Sequence, residues 1–341
     1  MAKTPTVRSL ALQLKLSVAT VSEALRDSPN VKAATKLRIQ RAAKKAGYRA
    51  NPLLGAALSA VRRARHLDYR GTLALIDTDE TARDQFILFH REIITGASAR
   101  AEELGFTAEV FWLGSGTPPL GPARLANILH ARGINGAVML PFNTARDMSD
   151  FDFSRIAAVQ MDHCLIQPHL HTILPDHYVS IMNALERLTA RGYQRVGLAM
   201  ELRKDARLKR KWSSGFLAFF RNYEHTTGIP ALIEPELARE RFIRWYRQHR
   251  PDLIVGHRQE MVDWLRDEGV RVPDHVGFFN LNVTEKTGPC AGLDLLPRRL
   301  GAAAVETVVA MLHRQERGVP EWPHTITLEA QWIDGPTIRR A

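Results

Sequence analysis

The sequence predicts two fold classes in one chain: an N-terminal all-α helix-turn-helix head, then a two-lobed α/β body with parallel sheets. Three observations lead there. Charge is the first: residues 1–66 hold fourteen Lys and Arg against only Glu23 and Asp27, a net +12, while the other 275 residues carry 33 basic and 34 acidic side chains. Helical spacing of apolar residues within that basic segment is the second. The third is a repeated alternation, from Gly71 onward, of short apolar runs with amphipathic stretches.

Composition bounds the function classes. At 341 residues, 45% hydrophobic and 24% charged, the chain has globular composition and exceeds the length of most single domains. No apolar run approaches the ~18 residues that span a bilayer, and Lys15 interrupts the place where a signal peptide's apolar stretch would lie. Cys164 and Cys290 are too few for a disulfide framework. A soluble, cytoplasmic protein is expected, and a basic head on a near-neutral body suggests a polyanion-binding module joined to a domain that binds something else.

In the head, Val7, Leu10, Ala11 and Leu14 fall on one helical face behind Thr6 as N-cap. Ser17 can cap a second helix with Val21, Ala24 and Leu25 inward and Val18, Ala19, Ser22 and Glu23 outward. A join of a few residues makes the pair a helix-turn-helix, whose second helix is free to enter a major groove. A third basic helix is expected from about Lys32 to Ala46, with Leu37 inward and Gly47 as its C-terminal cap.

These residues closely resemble the DNA-binding head of the lactose repressor and galactose repressor family of bacterial transcription regulators. The resemblance rests on LSVATVSEAL (16–25), in which Val18 displaces one residue of the family pattern, on Val31, Thr35, Arg38 and Ile39, and on Gly47, Tyr48 and Asn51. It implies that Val18, Ala19 and Glu23 contact bases, while Thr6, Ser17, Thr20, Ser22, Asn30 and Thr35 hold phosphates. Glu23 departs from the usual basic or polar residue. A carboxylate only accepts hydrogen bonds, so it suits a cytosine amino group.

The head is bounded at 1–49, and a hinge helix or linker at 50–66 follows. Within it Leu54, Leu58 and Val61 are apolar. In the family this stretch is a helix that inserts a leucine into the minor groove. Counting from Asn51 places Ala57 at that wedge, with Leu54 or Leu58 as substitutes; the alternative is an ordinary linker helix packed on the body.

Residues 67–341 read as the effector-binding and dimerisation domain. Strands are expected at 71–77, 108–113, 136–141 and 157–162, with helices near 86–104 and 122–132. A second series places strands at 195–200, 252–256 and 276–280 among helices near 178–191, 209–222, 236–249 and 259–268. Such repeats make parallel sheets with right-handed crossovers. They fit two lobes around a cleft, the type I periplasmic-binding-protein-like architecture that the resemblance implies. A helix at 297–317 packs back on the lobes, and 326–339 resembles the family's terminal strand.

Small effectors, often sugars or purines, bind between the lobes in this family. Here the usual arginine before a Gly-aromatic pair is replaced in 210–216 by Trp212, the acidic pair after the last cleft strand is Phe279-Asn280, and a polar pair is displaced to His257-Arg258. Trp212 and Phe279 are candidates to stack on a ligand or to be plain packing; Asp162 and Asp176 stand at cleft positions. A sugar is the possible effector. Asp162, His163, Cys164, His169, His171, Asp176 and His177 gather candidate metal ligands in one short segment but miss zinc spacing, so exposed histidines in a crossover loop are expected, with no metal and no cofactor. The glycines of 114–116 read as a turn rather than a nucleotide loop.

The leading reading is a sequence-specific transcription regulator, a homodimeric repressor of a palindromic operator, not an enzyme, working in the bacterial cytoplasm at the nucleoid with no membrane partner. The alternative is a ligand-binding or catalytic α/β protein that binds nucleic acid incidentally.

Overall fold

The computed structural model describes residues 7–25, 31–46, 71–77, 88–113, 119–141, 145–222, 227–285 and 288–340. Contacts divide the chain into two compact units, Met1–Asp68 and Tyr69–Ala341.

The first unit contains α1 (Val7–Leu14), α2 (Val18–Leu25) and α3 (Ala33–Lys45). Leu10, Ala11, Val21, Ala24, Val31, Ile39 and Ala43 form its core, with Leu14, Leu16 and Leu25 against them. Lys15 turns the chain in the left-handed region at φ 55°. The Lys15 amide donates to the Leu12 carbonyl at 3.3 Å and the Leu16 amide to that of Ala11 at 3.0 Å, a Schellman closure that ends α1. One expectation fails: Leu37 is exposed. On α3 the inward pair is Ile39 and Ala43, four residues apart, and Leu37, two residues from Ile39, is turned about 200° away.

The second unit has two parallel sheets. In the first lobe, β1 (Thr72–Asp77), β2 (Thr107–Trp112), β3 (Gly136–Met139), β5 (Ala157–Met161), β7 (His171–Pro175) and β14 (Thr325–Leu328) run in the order β14-β7-β5-β3-β1-β2. A short pair, β4 (Arg146–Asp147) and β6 (Leu165–Gln167), lies apart from it. In the second lobe, β8 (Arg195–Glu201), β10 (Leu232–Glu234), β11 (Leu253–Gly256), β12 (Gly277–Asn280), β13 (Gly292–Asp294) and β15 (Gln331–Ile333) run β10-β8-β11-β12-β13-β15; β9 (Thr227–Gly228) also pairs β8. Only β15, antiparallel to β13, breaks the parallel pattern among these pairings. Strands β3, β5, β7, β11 and β12 are buried along their length, as parallel strands covered on both faces must be.

Helices α4 (Leu88–Glu103), α5 (Pro122–Ala131) and α11 (Pro297–Arg314) belong to the first lobe; α6 (His177–Ala190), α7 (Leu202–Arg207), α8 (Lys211–Asn222), α9 (Arg239–His249) and α10 (Glu260–Asp267) to the second. Helix α11 meets α4 backbone to backbone at two glycines. A Cβ on Gly301 would stand 2.1 Å from the Ile93 carbonyl oxygen, and one on Gly96 would overlap the Arg298 carbonyl equally closely. The chain passes between lobes after Pro175, after Asp294 and after Leu328.

The crossover segment corrects a second expectation. Residues 171–175 are not a loop of exposed histidines but a central strand, and His171 and His177 are buried, leaving His169 exposed. The polar letters hid a strand buried along its whole length: His171 Nδ1 accepts the His324 amide at 3.1 Å, so its ring is buried with a partner. The expected helix at 209–222 is α8, which begins at Lys211, and the short helix α7 precedes it. Lys209 and Arg210, both left-handed at φ 55° and 56°, separate the two. The expected terminal strand is two strands, one in each sheet. No described helix is long and apolar enough to cross a membrane.

Candidate functional site

In the head, Ser17 stands at the N-cap of α2. Its Oγ accepts the Thr20 amide at 3.0 Å and lies 2.7 Å from the Thr20 hydroxyl, which satisfies one of the free amides of the first turn. Both hydroxyls remain at the surface, at the positive end of the helix, where a phosphate oxygen is favoured. Thr35 is half-buried on α3. Arg38 donates to the Leu14 carbonyl at 3.1 Å and so ties α3 to the C-terminus of α1. Val18, Ala19, Ser22 and Glu23 are on the backbone of α2, but their side chains, like Thr6, Asn30 and the whole of Asn51, Leu54, Ala57 and Leu58, lie outside the described residues; so do Gly47 and 114–116.

In the body, a cavity of about 210 Å³ opens between the lobes. It lies beyond the carboxyl ends of the strands, the ordinary position for ligands in parallel sheets. The first lobe supplies Phe89, His90, Asp162 and Pro175; the second supplies His177, Trp212, His257, Asn282 and, from one stretch, Glu201, Arg203, Lys204, Arg207 and Leu208. Asp162, at the end of β5 in the left-handed region (φ 53°), receives Arg207 of the other lobe at 3.2 Å. Glu201 is held by Arg258 at 3.1 Å and His257 Nε2 at 3.4 Å. The hydrogen bond from His257, with the neighbouring Arg258, holds the Glu201 carboxyl down to about 2.

The histidines are driven the other way. Burial lowers His257, and lowers His177 to about 4, so both rings are neutral near pH 7. With Nε2 of neutral His257 donating to Glu201, its Nδ1 is a bare acceptor, buried and without a partner in the described structure. His177 is 3% exposed, packs on Trp212 with ring centroids 4.6 Å apart, and neither of its nitrogens has a partner. A buried polar atom without a partner costs on the order of 1–3 kcal/mol. Three such nitrogens around a cavity are what a bound polar molecule would satisfy.

A profile described as bacterial regulatory proteins, lacI family, matches residues 6–51, and one described as a periplasmic binding protein-like domain matches residues 185–338. The chain belongs to the lacI family of bacterial regulatory proteins. It is a DNA-binding transcription regulator. Its fold is that of solved lacI-family structures. A transcriptional regulator CelR–cellobiose complex and a lac repressor dimer bound to operator and the anti-inducer ONPF are each 17% identical, with TM-score 0.54 over 98% of this chain and 99% of theirs. A LacI-family regulator from Silicibacter pomeroyi is 19% identical, with TM-score 0.52 over 98% of this chain and 100% of its own. No curated protein sequence matches the chain.

Against this lacI-family frame, Asp162, Trp212 and His257 line the cavity and three other expected residues do not. Asp176 caps α6, its carboxylate accepting the Val179 amide at 3.0 Å. Phe279 is fully buried and packs on Trp332 at 4.6 Å between ring centroids. Asn280 is buried in β12 and accepts the Asn282 amide at 2.9 Å. The physical reason is register: β12 stays in the sheet through Asn280, so the wall is formed by the next residues, Leu281 and Asn282. Sequence reasoning also missed Glu201, Arg203, Lys204 and Arg207. Their signal was available, since three cations within five residues follow the carboxyl end of a correctly placed strand.

Cys164 is buried and its thiol is pushed up by that burial. It is therefore an inert core thiol rather than a nucleophile or metal ligand.

Proposed function

We propose that this regulator is an effector-responsive repressor that binds a near-palindromic operator as a homodimer, with the interlobe cavity as its effector site. The observation that carries the reading is the Asp162–Arg207 bridge beside unpartnered His177: the cavity has walls from both lobes, so its occupant would bias their arrangement. In this reading Val18, Ala19 and Glu23 contact bases. Thr6, Ser17, Thr20, Ser22, Asn30 and Thr35 position the phosphates, and residues 50–66, through Asn51 and Leu54, Ala57 or Leu58, engage the minor groove. The protein acts on chromosomal DNA in the cytoplasm and catalyses nothing. Two heads are needed because one three-helix unit contacts too little DNA for useful affinity, and a two-fold protein reads a two-fold site.

Mobility shifts of genomic fragments against random duplex test it. The expected preference is ~1,000-fold or more, with symmetric footprints. A preference near unity, or protection of a single half-site by a monomer, sinks the reading.

A further inference from the structure

We infer that the interlobe cavity takes a small hydroxylated anion, a ligand carrying a carboxylate or phosphate beside hydroxyl groups, rather than a neutral sugar. This rests on the reading of that cavity as the effector site and names the class of molecule it holds.

The argument is a balance of charge and of hydrogen-bonding sense. The wall carries Arg203, Lys204 and Arg207 against two carboxylates, Asp162 and Glu201. Both carboxylates already have cations of the protein: Arg207 meets Asp162 at 3.2 Å, and Arg258, from outside the wall, meets Glu201 at 3.1 Å. Arg203 is exposed at the mouth and has no ion-pair partner among the described residues. Lys211, just behind, is lowered by burial and raised by Asp176 and Asp162, so the excess on the wall is the one cation by which Arg203, Lys204 and Arg207 outnumber Asp162 and Glu201. A neutral sugar would leave that excess unanswered.

The remaining polar atoms say what stands beside the anionic group. His257 Nδ1 can only accept, and neutral His177 offers one N–H and one bare nitrogen. Hydroxyls donate to the bare nitrogens and accept from the N–H. The Trp212 ring, packed on His177, gives the carbon skeleton an apolar face. At about 210 Å³ the space admits a small metabolite.

Calorimetric titration of the full chain with glucose, gluconate and glucose 6-phosphate, at equal ionic strength, tests the class on one carbon skeleton. Gluconate or glucose 6-phosphate should bind at least about tenfold (~1.4 kcal/mol) tighter than glucose; which of the two binds distinguishes a carboxylate from a phosphate. Arg203→Gln combined with Lys204→Gln, at surface and rim positions, should erase that preference. Glucose binding as well as both anions, a double variant that keeps the preference, or no binding of either anion overturns the assignment. Operator affinity with and without the bound anion is read separately. If it does not change, the effector reading fails while the anion class stands; if metabolites release operator but only neutral ones do, the class fails and the effector reading stands.

Discussion

Acidification should cost this protein stability through one ring. His177 is buried against Trp212, faces Asp162, Asp176, Arg207 and Lys211, and is lowered from 6.5 to about 4, chiefly by burial. A histidine with a depressed folded value binds fewer protons than its unfolded counterpart between those two pH values. Stability is therefore complete above about pH 6.5 and is lost as pH falls toward 4. At ~1.4 kcal/mol per pH unit, the loss between pH 7 and pH 5 is about 2 kcal/mol from this group alone. Urea melts of the full chain at both pH values, read by a signal from the body, measure it. Other buried histidines contribute to the parent's slope, so the decisive quantity is the difference between parent and His177→Phe, which keeps the ring on Trp212 and cannot protonate. The variant should lose about 2 kcal/mol less. Equal losses in the two proteins would show that His177 is hydrated, and the unpartnered ring would no longer argue for a ligand.

Gly301→Ala should lower body stability by ~2 kcal/mol or more in a urea melt, although alanine favours helices, because its Cβ would meet the Ile93 carbonyl at 2.1 Å; a stabilised variant would refute the close helix crossing. Ser17→Ala should cost the head ~1 kcal/mol by removing the cap on the Thr20 amide at 3.0 Å, and a head melting unchanged by calorimetry would deny that cap. Glu23→Gln should change the preferred base at one symmetric pair of operator positions in selection from random duplexes, since an acceptor gains a donor; an unaltered consensus would remove Glu23 from the reading set.

The body's strands were legible because both faces of each parallel sheet are covered. An apolar run bounded by turn residues then has few other readings, and 136–139, 157–161 and 253–256 came out within a residue or two of expectation. The strand at 171–175 was not legible, because His171 and Thr172 break the apolar run and are buried with partners that include His324 and Gln160, distant in sequence. Leu37 failed for the opposite reason: an apolar letter on a helix with few of them was assigned inward, when Ile39 and Ala43 already filled the small core. At the cavity, family spacing found Asp162, Trp212 and His257 but carried Phe279 and Asn280 with them. Alternation along a strand decides which side chain reaches a wall, and a motif position alone does not fix where the strand ends.

The segment that supplies most of the cavity's charge is also the one most tightly constrained. Asp205 is fully buried and accepts the Ser213 hydroxyl at 2.7 Å, which fixes α7 to the start of α8 across the two left-handed residues Lys209 and Arg210. Each such residue costs on the order of 1 kcal/mol, so this turn persists only because its surroundings hold it. From that fixed base Arg207 reaches Asp162 in the other lobe. A ligand touching one lobe alone would bind equally well whatever the lobes do and would shift no equilibrium between their arrangements. An anion that draws Arg207 toward itself competes with Asp162 for the same guanidinium and so exchanges a direct contact between lobes for one made through the ligand. The free energy available to move the lobes is then the difference between those two contacts, and for that reason the identity of the charge in the cavity, more than the tightness of its binding, sets whether occupancy can signal.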